Sequence, residues 1–163
     1  MTLLQSRTMK ADKKFQPISK NDGDEFYPNG IFEFNITKLL IFIKANQHIF
    51  QPEEVSVKSI RFSGSKHLKE ATIQSANTKE PIVLAEISPD RFNVIDGHHR
   101  LEKAYRTGAS NILAYKIKAE QHIKFLTSVE AYKEYINYWN SKIQQYNRQW
   151  LQEKNLSSNF IVS

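Results

Sequence analysis

The chain has 163 residues, 40% of them hydrophobic and 25% charged, with a formal net charge of +6. That length suits one hydrophobic core with additions, and the balance of apolar and charged residues excludes a fully disordered or fibrous protein. With no cysteine in the sequence, disulfides, thiolate metal sites and a thiol nucleophile are excluded, so any chemistry uses oxygen or nitrogen groups.

The basic excess favours anionic partners without choosing among them, because Lys and Arg are scattered along the chain. The N-terminal stretch lacks the apolar core of a signal peptide, and the densest apolar run, Leu39 to Ile43, is far shorter than a membrane span. A cytoplasmic protein with no membrane partner is expected.

Residues 1–30 are polar and hold Pro17, Asn21-Asp22-Gly23 and Pro28-Asn29-Gly30, which are turn formers, so they read as an irregular arm. Ile36, Leu39, Leu40 and Ile43 then recur at helical spacing behind the N-cap residue Asn35. This predicts an amphipathic helix to about Gln47 that packs on the domain's own core. From Val55 to Ile60 the residues alternate like a half-buried strand, His67 to Asn77 suits a short helix, and Pro81 to Ile87 reads as a more buried strand. After a turn at Ser88-Pro89-Asp90, Arg91 to Ile95 forms a third strand, Asp96-Gly97 closes it, and Leu101, Ala104 and Tyr105 mark a helix that stops before Gly108. Ile112 to Ile117 makes a fourth strand. The order strand, helix, strand, strand, helix, strand belongs to a compact α+β domain with a mixed sheet.

In the last third, Thr127-x-x-Glu130 has the form of a capping box. After it Val129, Tyr132, Ile136, Trp139, Ile143, Tyr146 and Trp150 recur in steps of three and four, predicting one long helix of about six turns. The seam is either a homodimer interface or a cover for the domain, and its aromatic residues favour the cover. The chain thus divides into an arm with an amphipathic helix (1–51), a core (52–119) and a C-terminal helical extension (120–163).

The segment Val94-Ile95-Asp96-Gly97-His98-His99-Arg100-Leu101 carries the chemistry. A buried strand ends, glycine lets the backbone turn, and a helix begins with its free amides facing outward, where they attract anions. Two imidazoles and a guanidinium in that first turn oppose the helix dipole unless an anion is bound, so Gly97, His98, His99 and Arg100 are expected to hold phosphate. The alternative is that Asp96 caps the helix and the basic residues are a solvated face. Asp96 can also hold Mg2+ through bound nucleotide phosphates, whereas a site built from His98 and His99 alone is disfavoured because adjacent helical residues diverge.

The stretch NVIDGHHRLEKAYRTGASNILAYKI resembles the signature of the ParB/sulfiredoxin superfamily, and the likeness covers about residues 52–119. It implies a compact mixed sheet whose glycine-His/Arg turn binds a nucleotide such as ATP, ADP or CTP. Sulfiredoxin chemistry is excluded because that branch needs a cysteine in the turn. The chromosome-partition branch uses an arginine-rich turn and an appended DNA reader that this sequence lacks. The free-serine-kinase-like branch carries Asp-Gly-His-x-Arg, which Asp96 to Arg100 match, and implies phosphate transfer to a small hydroxyl acceptor. That branch also has a catalytic glutamate just after its first strand. Here no acid follows Ile60 until Glu70, so Asp96 and Glu70 are the candidate catalytic residues, Glu70 as general base. A ParB-like nucleic-acid-binding or nuclease-like module is the alternative.

Overall fold

The computed structural model describes residues 3–4, 7–30, 32–60 and 67–159. Its centre is a four-stranded mixed sheet in the order β3-β6-β4-β5, built from β3 (Glu53–Ser56), β4 (Ile82–Ser88), β5 (Arg91–Asp96) and β6 (Asn111–Ile117). β4 runs parallel to β6 and antiparallel to β5, while β3 is antiparallel to β6. All seven residues of β4 are buried, which is why its sequence is an almost unbroken apolar run: both faces are covered and alternation has no solvent side to mark.

The two faces carry different layers. Ile82 and Leu84 point to a cluster with Val94, Leu101 and Ala104, under α2 (Val57–Ile60), α3 (Glu70–Ser75) and α4 (His98–Arg106). Val83, Ala85 and Ile87 point to a larger cluster that receives α1 (Ile36–Ala45), α5 (Ala119–His122) with the 3-10 turn Ile123–Phe125, and α6 (Val129–Asn159). This alternation by twos on one strand makes a sheet with a helical layer on each side. The fold is therefore α+β, as expected. Segments 1–51, 52–119 and 120–163 all contribute to the larger cluster.

α1 starts where its cap predicts, with Asn35 Oδ1 accepting from the Lys38 amide at 3.1 Å. The strand expected from Val55 to Ile60 is instead β3 followed by α2, because Val57 turns its side chain into the core from a helical turn. The long helix also begins differently. Ser128 Oγ accepts from the Ala131 amide at 3.0 Å and so caps α6, while the Thr127 hydroxyl donates to Glu33. Tyr132, Ile136, Trp139 and Ile143 of the expected seam are buried, so that part of α6 is a cover. Beyond it, Leu151 and Leu156 are 47% and 61% exposed.

The N-terminal arm corrects the sequence reading most. Residues Phe26–Asn29 (β1) and Phe32–Asn35 (β2) form an antiparallel hairpin, with Gly30 at φ +67 in its connection. Before it, the chain lies along α6. Leu4, Met9 and Asp12 amides donate to Asn147, Asn140 and Tyr132, and Phe15 stacks on Tyr132 at 3.7 Å. Among the described residues no helix is long and apolar enough to cross a membrane.

Candidate functional site

β5 ends at Asp96, and Gly97 carries the chain into α4 with φ +95 and ψ 24, a left-handed conformation that costs glycine least. The glycine is required on a second count. A Cβ at position 97 would stand 2.5 Å from Ile82 Cγ2 and 2.9 Å from both Ile82 Cβ and Arg100 Nη2. The turn is thus packed directly on the central strand.

No side chain caps α4. Its first intrahelical bond runs from the Leu101 amide to the Gly97 carbonyl at 3.0 Å, leaving the amides of His98, His99 and Arg100 as the donors that a helix start cannot satisfy internally. The turn from Ile95 to His99 lines a cleft of about 220 Å³, whose other walls include Glu25, Tyr27, Ile36 and His67. The cleft falls below the roughly 300–1,000 Å³ of sites that enclose a whole drug-sized ligand. That volume suits a small group rather than a whole ligand.

Each residue expected at the site has a definite place. His98 stacks on Tyr27 with ring centroids 5.3 Å apart, and its Nε2 is buried without a hydrogen-bond partner. Burial pushes its pKa down, so the ring is neutral near pH 7 and Nε2 can offer a proton or a lone pair. His99 Nε2 accepts from the Lys69 amide at 3.2 Å, tying the start of α3 to the start of α4. The Arg100 guanidinium reaches Asp96 at 2.9 Å and Glu80 at 3.2 Å, so its charge is already balanced by two carboxylates.

Glu70 is not brought to the turn. It lies outside the cleft lining, is 64% exposed, and accepts from Arg106, the last residue of α4, at 2.6 Å. The hydrogen bond from Arg106 lowers its pKa, the wrong direction for a general base working near neutral pH. The carboxylate that does line the cleft beside Asp96 is Glu25, just ahead of β1. Sequence reasoning missed Glu25, Tyr27 and His67 together, because only the hairpin and the loop before α3 bring them to the turn. Among the described residues no group of three or more His, Asp or Glu is arranged to hold a metal ion. Mg2+ arriving with nucleotide phosphates would find Asp96 and Glu25 as its carboxylates.

Comparison of the chain with family models, with curated proteins and with solved structures returns no match.

Proposed function

We propose that the cleft binds the phosphates of a nucleotide. The observation that carries this reading is the uncapped start of α4 together with the buried, unpartnered Nε2 of His98, at a turn that lines the cleft. Both are deficits in the protein alone, and one phosphate oxygen set satisfies both, since helix-start amides and a neutral imidazole N–H are donors. The roles follow by position. Gly97 lets the backbone approach, the amides of 98–100 and His98 Nε2 donate, and Tyr27 supplies an aromatic wall. Arg100 holds Asp96 in place and reaches phosphate only if it gives up a carboxylate. The order of elements from β3 to β6 and the turn itself are what support placing this core with the ParB/sulfiredoxin type.

Calorimetric titration with ATP, ADP, CTP and GTP, with Mg2+ present, tests the reading. Saturable binding by at least one of the four is expected. No heat and no saturation with any of them would overturn it.

A second reading, transfer of the terminal phosphoryl group to a small hydroxyl, is favoured by Glu25. It supplies the cleft with a carboxylate that can take the acceptor's proton as the new oxygen–phosphorus bond forms and the bond to the leaving phosphate breaks. Incubation with nucleotide and a panel of free amino acids and sugars, followed by mass spectrometry, should show a product gaining one phosphoryl group that Glu25→Gln does not make. Unchanged nucleotide across the panel would leave a binding module.

A further inference from the structure

At the other end of the edge strand β5 from the turn, β5 and the helix α6 line a polar groove of about 340 Å³. Arg91 and Asn93, two residues apart on β5, line one wall, and Tyr138, Lys142, Tyr146 and Gln149 line the other. Among the described residues no carboxylate borders it. Among the described residues the side chains of Arg91, Asn93, Tyr146 and Gln149 have no hydrogen-bond or ion-pair partner, and that of Lys142 reaches only the Gln145 amide oxygen at 3.4 Å while lying over the Tyr138 ring. From Tyr135 to Gln152 α6 contains no acidic residue. Uncompensated cations in a groove without acids raise the local concentration of an anion.

The spacing selects the kind of anion. Tyr138, Lys142, Tyr146 and Gln149 stand at i, i+4, i+8 and i+11, one face of the helix over about 16 Å. A small anion is held by groups that converge on a point, whereas this is a track. Cations along a track, with an aromatic ring and amides between them, match a single-stranded nucleic acid: phosphates against Arg91 and Lys142, a base on Tyr146, and base edges toward Asn93 and Gln149. A base stacked on a side chain is out of a duplex, so the track favours a single strand.

We infer that the groove between β5 and α6 binds single-stranded nucleic acid, at a site separate from the turn at Gly97. The composition concealed it because Arg91 and Lys142 are far apart in sequence and meet only when α6 covers the sheet.

Fluorescence anisotropy of the full chain with a labelled single strand of about ten nucleotides tests this. We expect binding whose log–log salt slope is about −1.4, the value for two phosphate contacts on a single strand. Affinity should fall about tenfold in Tyr146→Ala and at least as much in Arg91→Ala/Lys142→Ala, with unchanged thermal melts, while His98→Phe binds as wild type. Failure to bind at low salt, binding of a duplex or a mononucleotide as tight as of the strand, or wild-type affinity in the groove variants would each overturn it. Loss in His98→Phe alone would move the strand to the turn and remove the groove.

Discussion

The guanidinium of Arg7 and the carboxylate of Glu86, 79 residues apart, form a two-point ion pair, Nη2 to Oε1 at 2.5 Å and Nη1 to Oε2 at 3.0 Å. Glu86 stands on the central strand and is 1% exposed. Burial alone would raise its pKa, but hydrogen bonds from Arg7 and from the Asp90 and Ala119 amides outweigh burial and hold it below the usual carboxylate range. Arg7 also reaches Glu120 and lies 4.8 Å from the Trp139 ring centroid. The N-terminal arm is therefore the counter-charge of the core.

Removing that counter-charge strands a buried carboxylate. Arg7→Ala is expected to cost about 3 kcal/mol of unfolding free energy, read by urea denaturation. Adding Glu86→Gln, which removes the charge, should restore a good part of the loss. A cost no larger than the roughly 0.5 kcal/mol of a surface pair would show that the arm does not neutralise Glu86.

His122 sets a pH dependence beside it. Its Nε2 donates to the Glu86 carbonyl at 2.6 Å, its Nδ1 is buried without a partner, and burial pushes its pKa down to about 4. The unfolded chain takes up this proton near pH 6.5 and the folded chain does not. Stability should therefore fall by about 3 kcal/mol as pH drops from about 6.5 to about 4 and lose no more to this group below that. Glu86, whose folded pKa is lowered, adds a loss that begins below its own unfolded value. His122→Phe should flatten the higher window in urea midpoints measured against pH, since Tyr135 still donates to the Glu86 carbonyl at 2.8 Å. An unchanged slope would contradict the assignment.

Gly97→Ala should lose about 3 kcal/mol, combining a disfavoured backbone angle with the collision against Ile82. A double-mutant cycle with Ile82→Ala, which removes the colliding methyl, should show the cost at position 97 shrinking; additive costs would mean the collision is relieved some other way. Because packing and ligand approach both need this glycine, loss of binding in a Gly97 variant does not by itself report the ligand.

His98→Phe separates the two. It keeps a ring against Tyr27 and removes a buried nitrogen that has no partner, so its melting temperature should match or exceed that of the wild type. Nucleotide affinity should drop at least about tenfold, the worth of one lost hydrogen bond to a charged group. Full affinity in this variant would take His98 out of the site.

The strand-turn-helix unit from Arg91 to Arg106 was legible because the determinants are local: a half-buried strand, a glycine the turn demands, and apolar residues at helical spacing. β4 was legible through its apolar length, and α6 through its seam. The hairpin from Phe26 to Asn35 was not, since two four-residue strands, one containing Pro28 and both flanking Gly30, read locally as turn chemistry and are held by the core they cover. Val57 misled because V-x-V-x-x-I serves a strand or a strand passing into a helix equally well. Glu70 is the first acid after Ile60 in sequence, yet Arg106 takes it, and Glu25 comes to the cleft only through the hairpin. Arg7 gave no local signal, because its partner is on the central strand.

Whether the first amides of α4 hold phosphate is read most directly from amide chemical shifts during titration with nucleotide. The amides of His98, His99 and Arg100 should shift together and saturate on one isotherm, with the Gly97 amide moving alongside. If nucleotide binds while these amides stay still, or if they shift only in proportion to ionic strength without saturating, the phosphate lies elsewhere and the start of α4 is not its site.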